Sequence, residues 1–293
     1  QATDTPFVAT YHGVYNAKSG LKRWYNAVMT RGDLVIANSD FTRDHVLKEH
    51  GLDPARIVSI PRGVDLTRFN PGWVTPERIG ALRAAWDAPE RRDLTTFVLA
   101  ARLTRIKGHA TVIEAAQKLK AQGRTDFRIL FAGDDQGRTE YRQELLDQID
   151  QAGLSEEIRL VGHCDDMPAA YMLADVALLS SIVPESFGRT AVEPQVMGRP
   201  VIASRLGGMT ETVLPGETGW LVAAGDAQDW DVWADLHTED GVWVEHHLGT
   251  FEGREAIRAG IKKVMAEAPA MLFPVEWYVI EDNRVVFYPW QVF

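Results

Sequence analysis

Two glutamates with seven residues between them, Glu185 and Glu193, form the clearest chemical pattern in the sequence. An apolar run and a loop precede this segment and a second apolar run follows it, which predicts strand, loop, helix and strand. The helix would begin near Gly188, where free backbone N–H groups and the helix dipole favour a phosphate group. Both carboxylates could then accept hydrogen bonds from hydroxyls of a ligand lying across the helix end. A sugar nucleotide has that chemistry, because a diphosphate joins its two hydroxyl-rich ends.

The pair also has an ordinary structural interpretation. Two carboxylates eight positions apart are common on solvent-exposed helices, so the pair alone favours a solvated face. The surrounding letters favour a binding site instead. They read Pro184-Glu-Ser-Phe-Gly-Arg-Thr-Ala-Val-Glu-Pro-Gln-Val-Met-Gly-Arg-Pro-Val-Ile-Ala203, then Gly207-Gly-Met-Thr-Glu-Thr-Val213 and Gly216-Glu-Thr-Gly-Trp-Leu-Val222.

Over residues 6–226 the sequence resembles the retaining glycosyltransferases of the GT-B fold. Within them it is similar to the group 1 family, which includes glycogen synthase and mannosyltransferase-like enzymes and carries a Glu-x7-Glu motif. The resemblance implies a hexosyltransferase-type enzyme. It also implies that Glu185 lies beside the donor sugar and that Glu193 binds the ribose hydroxyls.

The resemblance assigns the helix start to the donor as well. It implies that the backbone N–H groups of Phe187, Gly188 and Arg189, together with the Thr190 side chain, reach sugar and phosphate oxygens. Gly188 would let the backbone approach the ligand closely. Phe187 is equally well explained as a side chain that only packs in the core.

Positive charge for a diphosphate is supplied by the segment Ala101-Arg-Leu-Thr-Arg-Ile-Lys-Gly108, directly after a predicted strand. The resemblance implies that Arg102 and Lys107 contact the phosphates, where they would neutralise the charge that grows on the leaving group. An exposed basic loop is the alternative, and the nearby glutamate motif argues against it.

Four further candidate residues stand at the ends of predicted strands, one in the first domain and three in the second. His12 ends the first strand and matches a histidine that faces the donor sugar in the family, although a lone histidine at a strand end is commonly structural. Gly133, Val161 and His163 stand at the ends of two other strands and would line the nucleotide pocket. The competing interpretation of the glycines is simple turn formation.

Composition limits the class of protein. The chain has 293 residues, enough for two domains, and is 45% hydrophobic and 25% charged, as in globular proteins. Its net charge of -10 argues against nonspecific binding to nucleic acid. The lone cysteine, Cys164, excludes an internal disulfide and favours a reducing, cytoplasmic location. No apolar run in the sequence is long enough to span a bilayer.

Residues 1–62 predict a βαβαβ unit with a parallel sheet. Its predicted strands are 7–11, 34–37 and 57–60, and its helices are 19–30 and 40–50, the latter with Asp40 as N-cap. The letters Thr10-Tyr-His-Gly13 and Ile60-Pro-Arg-Gly-Val-Asp-Leu66 resemble the closing part of the N-terminal, acceptor-side Rossmann-like domain of the same enzymes. The opening strands of that domain are absent from the sequence. We therefore expect an incomplete domain with a bare strand edge, and a missing upstream segment.

Residues 63–92 read as an interdomain connector with a short helix near 76–86, and residues 93–226 as a complete doubly wound, Rossmann-like donor domain. Ligands of such sheets bind at the carboxyl ends of the strands. The predicted strands are 96–100, 128–132, 158–161, 176–179 and 201–203, with the main helices at 110–122 and 140–152.

Residues 227–293 differ from the preceding sequence, with more tryptophan and tyrosine. They resemble the first part of a SnoaL-like domain, the α+β cone shared with polyketide cyclases and nuclear-transport-factor-like proteins. The consecutive residues Glu245, His246 and His247 do not predict a metal site, because neighbouring strand residues point to opposite faces. The predicted fold class is thus α/β of the GT-B type with an incomplete first domain, followed by a partial cone, as in a chimera of two partial genes.

The predicted activity is transfer of a sugar from a nucleotide-diphosphate donor to a hydroxyl acceptor, lipid or saccharide, with retention at the anomeric carbon. No metal or other cofactor and no nucleic-acid partner is expected, and a peripheral membrane contact would involve the acceptor side. Truncation of the acceptor domain puts turnover in question, whereas residues 93–226 are expected still to bind the nucleotide part. Two alternatives stay open: a small-ligand-binding or cyclase-like module in the tail, and a fusion fragment without activity.

Overall fold

The computed structural model divides into two compact units, Gln1–Leu221 and Val222–Phe293. It describes residues 5–15, 20–91, 93–223, 234, 239, 242–245, 249–267, 275–281 and 284–289. His246 and His247 lie outside the described residues.

The first sheet contains three parallel strands: β1 (Val8–Tyr11), β2 (Leu34–Ala37) and β3 (Ile57–Ser59), in the order β1-β2-β3. Helix α1 (Gly20–Asn26), continued by a 3-10 turn at Ala27–Thr30, and helix α2 (Asp40–His50) connect the strands. The predicted βαβαβ order is confirmed, and β1 is an edge strand of this sheet. A small core lies under the sheet, formed by Tyr11, Val35, Ala37, Val46 and Ile57.

Helix α2 is capped by a different residue from the one predicted. Ser39, not Asp40, is the N-cap, because Ser39 has extended backbone angles and its hydroxyl accepts a bond from the N–H of Thr42 at 3.0 Å. Asp40 is the first residue of the helix, where its negative charge suits the helix dipole. Gly51 is the C-cap of this helix, and its φ of 59° lies in the left-handed region.

The connector between the two sheets carries helix α3 (Pro76–Ala85), N-capped by Thr75. The guanidinium of Arg78, in α3, forms a bidentate ion pair with Asp166 at 2.9 and 2.6 Å. Asp166 is in turn the N-cap of helix α6 (Met167–Leu173). The connector is therefore fixed to the helices of the second sheet.

The second sheet has six strands in the order β6-β5-β4-β7-β8-β9, which is a doubly wound order because the strands run outward in both directions from β4. The predicted doubly wound sheet is confirmed. The strands are β4 (Thr95–Ala100), β5 (Phe127–Ala132), β6 (Ile158–Gly162), β7 (Val176–Leu179), β8 (Val201–Ser204) and β9 (Gly219–Val222). The connecting helices, besides α6, are α4 (His109–Ala121), α5 (Thr139–Gln151), α7 (Arg189–Val196) and α8 (Met209–Thr212).

The strand order reverses between β4 and β7, which lie side by side and parallel. All six residues of β5 are buried, as expected for a central strand covered on both faces. A core of apolar side chains from β4, β5, α4 and α5, including Leu99, Phe131 and Leu145, supports one face. The crevice at the reversal point is where sheets of this topology bind ligands.

In the described part of the second unit, the structure has two antiparallel strand pairs and one long helix. Strands β10 (Val242–Glu245) and β11 (Gly249–Glu252) form one pair, and β12 (Val275–Glu281) and β13 (Arg284–Pro289) form the other. Helix α9 (Arg254–Glu267) buries Ile257 and Ile261. This mixture agrees with the predicted α+β tail. Across the described residues, no helix combines the length and the hydropathy needed to cross a membrane.

Candidate nucleotide-sugar site

The loop after β4 is locked against the end of β7. Gly108 closes this loop with a φ of 69°, and a Cβ atom there would lie 1.8 Å from the carbonyl oxygen of Ser180. The Ser180 hydroxyl lies 2.9 Å from the carbonyl oxygen of Lys107 and 3.0 Å from that of Gly108. Only glycine permits this approach, and the result is that Lys107 stands beside the β7 loop.

Lys107 and Glu185 form an ion pair at this point. The ammonium of Lys107 contacts Oε1 of Glu185, and the hydroxyl of Ser181 donates to the same oxygen at 2.6 Å. The two side chains are 19% and 24% exposed, so the pair is partly shielded from water. A cation from the β4 loop thus faces an acid from the β7 loop.

The backbone around Glu185 is held from the other side by two glycines. The N–H of Gly208 donates to the carbonyl oxygen of Glu185 at 2.7 Å, and Gly207 forms a bridge with Glu185. A Cβ atom at Gly207 would lie 2.4 Å from that carbonyl oxygen, and its φ is 58°. This explains why two consecutive glycines follow β8.

Helix α7 begins at Arg189, within the predicted interval, and Gly188 is its N-cap with a φ of 80°. No side chain among the described residues caps this helix start. Phe187 is buried at 7% exposure, which agrees with the packing interpretation of this residue. Arg189 and Thr190 occupy the first two helical positions, so their N–H groups belong to the uncapped turn that favours an anion.

Glu193, one turn into α7, is only 8% exposed. Its Oε2 accepts a hydrogen bond from the hydroxyl of Tyr171 at 3.1 Å, and its Oε1 accepts one from Arg189 at 3.2 Å. Burial, together with the charge of Glu193, raises the pKa of Tyr171 well above its ordinary value. The tyrosine therefore remains a donor, and it fixes the orientation of the Glu193 carboxylate.

A recess of about 260 Å³ opens beside Glu193. Its wall combines α7 and the residues before it with the start of the connector: Gly63, Val64, Asp65, Arg68, Phe69, Phe187, Arg189, Val192 and Glu193. Asp65 shapes the connector side, because its carboxylate accepts bonds from the N–H and hydroxyl of Thr67 at 2.9 and 2.6 Å. Two arginines and two carboxylates give the recess a polar lining.

His12 lies at the end of β1 with an exposed side chain. Its Nδ1 is 2.8 Å from the guanidinium of Arg62, and its carbonyl oxygen accepts a bond from Asn38 at 3.1 Å. An arginine has only donors, so Nδ1 is the acceptor in this contact and the ring proton is on Nε2. Arg62 thus sets the tautomer of His12.

The remaining predicted residues lie at the carboxyl ends of β4, β5 and β6. Arg102 is exposed, and its guanidinium is 3.5 Å from the side chain of Gln136 rather than bonded to either glutamate.

A Cβ atom at Gly133 would lie 1.8 Å from the carbonyl oxygen of Ala101, so this glycine is required by strand packing. Val161 is partly buried in β6, and exposed His163 pairs with Asp165 at 2.9 Å.

Sequence reasoning missed two residues that complete this arrangement. Ser181 contacts Glu185, and Tyr171 contacts Glu193 from a helix that the motif does not include. The position of Ser181 in the predicted loop was a usable signal, because a hydroxyl four residues before a carboxylate can reach it. Nothing in the local sequence of Tyr171 indicated its partner.

Comparison with known families gives three matches along the chain. The family Glycosyl transferases group 1 matches residues 82–233, just over half of the chain. Glycosyltransferase Family 4 matches residues 1–68. The SnoaL-like domain matches residues 220–292.

Among curated proteins, the chain is similar to D-inositol 3-phosphate glycosyltransferases. It is 34% identical over 218 residues to that of Mycobacterium sp. (strain KMS), covering 73% of this chain and 46% of the relative. It is 33% identical over 211 residues to that of Rhodococcus opacus (strain B4), covering 69% of this chain and 45% of the relative. The chain therefore spans about half the length of these relatives.

Among solved structures, a glycosyltransferase from Rickettsia africae ESF-5 matches with a TM-score of 0.69 and 29% identity, over 92% of this chain and 72% of that one. Anabaena Alr3699/HepE, solved in complex with UDP and glucose, matches with a TM-score of 0.66 and 24% identity, over 90% of this chain and 71% of that one. At this identity, the match to Anabaena Alr3699/HepE is evidence for the fold alone. Together with the motif residues and the doubly wound sheet, these matches establish that the chain belongs to the group 1 glycosyl transferases, with a GT-B type fold.

Proposed function

We propose that this protein binds a nucleotide-diphosphate sugar and transfers the sugar to a hydroxyl acceptor with retention at the anomeric carbon. The observation that carries the proposal is the Lys107–Glu185 pair, which lies beside the uncapped start of α7 where the strand order reverses. A cation, an acid and a helix N-terminus at one crevice suit a ligand with both phosphates and hydroxyls.

The diphosphate would lie between Lys107 and the first turn of α7. When the bond from the anomeric carbon to the phosphate oxygen breaks, negative charge grows on the phosphate, and the ammonium and the helix dipole stabilise it. Arg102 follows β4 on the same edge, and its exposed guanidinium is free to swing from Gln136 to a phosphate oxygen. These groups would supply the charge without a metal ion.

The nucleoside would lie toward Glu193. Its carboxylate is oriented by Tyr171 and still has lone pairs for the ribose hydroxyls. The recess beside it offers room on the connector side. Gly133, Val161 and His163, at the ends of β5 and β6, would border the base.

The sugar would lie between Glu185 and His12. In the retaining step the acceptor oxygen bonds to the anomeric carbon on the face that the phosphate leaves, and the acceptor proton passes to a phosphate oxygen. Glu185 would hold a sugar hydroxyl, and the Nε2–H of His12 would donate to another. The acceptor would be a hydroxyl compound, and an inositol phosphate is one candidate because the similar curated proteins are named D-inositol 3-phosphate glycosyltransferases. A saccharide or a lipid is the acceptor expected from the sequence alone.

A donor-hydrolysis assay tests this proposal. The protein would be incubated with UDP-glucose, GDP-mannose and ADP-glucose, and released nucleotide and free sugar would be measured. The proposal is supported if the wild-type protein hydrolyses one donor and Lys107→Ala does not. The control is Lys118→Ala, which replaces an exposed lysine of α4 and should keep the activity. Proton NMR of the first product would give the anomer. Equal rates in the two variants would count against it.

The SnoaL-like match over residues 220–292 supports a second candidate, a small-ligand-binding module in the tail. Quenching of tryptophan fluorescence by an apolar ligand would test it. This module predicts that the quenching persists in Lys107→Ala and Glu193→Ala, whereas binding at the nucleotide site would be weakened by both substitutions.

A further inference from the structure

Ser186, the residue after Glu185, contacts the first sheet through both its backbone and its side chain. Its carbonyl oxygen accepts hydrogen bonds from the hydroxyls of Ser39 and, at 3.2 Å, of Thr42, both fully buried. Its own hydroxyl accepts a bond from the N–H of Val14 at 3.2 Å. One residue of the glutamate motif therefore bonds both to the loop after β1 and to the start of α2.

Glu211 makes a second connection between the same elements. Its two carboxylate oxygens accept bonds from the backbone N–H groups of Asp40 at 2.8 Å and Phe41 at 2.6 Å, in the first turn of α2. A carboxylate at this position satisfies helix donors that have no partner within the helix, and it suits the dipole. Glu211 belongs to α8, which follows the glycines that hold the backbone of Glu185.

These contacts are hydrogen bonds between distant segments rather than apolar packing. They join segments 144 to 172 positions apart in the sequence. Val14 is two residues after His12, and Ser186 is next to Glu185. The bond between Val14 and Ser186 therefore connects the chain next to His12 to the chain next to Glu185.

We infer that Ser186 and Glu211 are positioning residues that hold His12 opposite Glu185 across the sugar site. The inference rests on the proposed donor site. Because the nucleotide would contact the second sheet and the connector but not the first sheet, loss of these contacts should leave nucleotide affinity intact. The sugar would contact groups from both sheets, so only the part of the affinity that the sugar contributes should fall.

Calorimetry on the full chain separates these two effects. UDP, GDP and ADP are titrated first, and the nucleotide that binds is then compared with its sugar donor (UDP-glucose, GDP-mannose or ADP-glucose). The sugar gain is the ratio of the dissociation constant of the nucleotide to that of its sugar donor. For Ser186→Ala and Glu211→Ala we expect nucleotide dissociation constants within about twofold of wild type. The sugar gain should fall by about tenfold. Glu211→Gln, which keeps an oxygen acceptor, should recover part of that gain. Ser155→Ala and Glu217→Gln, at exposed positions, serve as controls.

Amide hydrogen exchange supplies the structural readout. In Glu211→Ala the amides of Asp40 and Phe41 should exchange at least about tenfold faster, and in Ser186→Ala that of Val14 should do so. Unchanged exchange together with an unchanged sugar gain would overturn the positioning role. Equal affinity of the wild-type protein for the nucleotide and for its sugar donor would overturn it as well. If no nucleotide binds at all, the proposed donor site itself is wrong, and the positioning role is rejected with it.

Discussion

Lys107 and Glu185, 78 positions apart in the sequence, form an ion pair across the point where the strand order of the second sheet reverses. The pair exists because Gly108 and Ser180 bring the β4 and β7 loops into backbone contact. It also implies competition, since a bound diphosphate would draw the ammonium of Lys107 away from Glu185. The acid would then be available to a sugar hydroxyl.

The two members of this pair should respond differently to substitution. Glu185→Gln removes a negative charge near the phosphate position and releases Lys107, so nucleotide diphosphate should bind equally well or up to about tenfold more tightly. Donor turnover should fall by about 100-fold or more, because the sugar loses its charged partner. Parallel calorimetry and hydrolysis assays check both effects, with Glu156→Gln, an exposed carboxylate, as the control. Weaker nucleotide binding in Glu185→Gln would show that the acid serves the nucleotide instead.

Tyr171→Phe should weaken nucleotide binding through Glu193. The substitution removes one hydrogen bond to a buried carboxylate, which is worth about 1.5–3 kcal/mol when the partner is charged. We expect the carboxylate to turn toward Arg189 and the affinity for the nucleotide to fall by about tenfold. In each protein, the affinity for the 2′-deoxynucleotide is compared with that for the ribonucleotide. Removal of the 2′-hydroxyl should cost less affinity in Tyr171→Phe than in wild type. Equal losses in both proteins would mean that Glu193 does not hold the ribose.

Gly108→Ala should destabilise the protein more than Gly123→Ala. Both glycines have positive φ, 69° and 78°, so both substitutions carry a backbone cost of about 1 kcal/mol. Only at Gly108 would the new Cβ atom overlap another group, the carbonyl oxygen of Ser180 at 1.8 Å. We expect at least about 2 kcal/mol of additional destabilisation in urea unfolding, in the range of overpacked cores. A smaller difference would show that the two loops can separate.

His109 should make stability depend on acid. Burial lowers the pKa of this histidine to about 4, whereas in the unfolded chain it is about 6.5. The folded state therefore binds fewer protons than the unfolded chain. The contribution of His109 to the free energy of unfolding is present above about pH 6.5 and is lost as the pH falls toward 4. The loss amounts to up to about 3 kcal/mol. Urea unfolding at several pH values should show a shallower acid loss in His109→Leu. Parallel curves for the two proteins would contradict a neutral, buried histidine.

Local signals predicted much of the donor side. The start of α7 beside Gly188 followed from its motif, and the doubly wound architecture of the second sheet followed from alternating apolar runs and helices, although β9 was not predicted. These features depend on neighbouring residues, which sequence periodicity captures. The cap of α2 was misplaced by one residue, because serine and aspartate have similar capping preferences and only the backbone angles decide between them.

Contacts between distant segments were beyond sequence reasoning. The bond between Tyr171 and Glu193 and those between Ser186 and the first sheet depend on how helices and loops approach in three dimensions. A hydroxyl group at either position is compatible with many partners, so its type carries little information. Arg102 was expected near the glutamates, and its bond to Gln136 reflects a long side chain that has several acceptors within reach.

Calorimetric titration of UDP, GDP and ADP into the wild-type chain, Lys107→Ala and Lys118→Ala tests the central claim most directly. The account predicts that one nucleotide binds wild type and Lys118→Ala with the same affinity and binds Lys107→Ala about tenfold to 100-fold more weakly, the loss expected for a charge-assisted contact. Absence of heat with all three nucleotides, or equal binding by all three proteins, would contradict a diphosphate site at the junction of β4, β7 and α7.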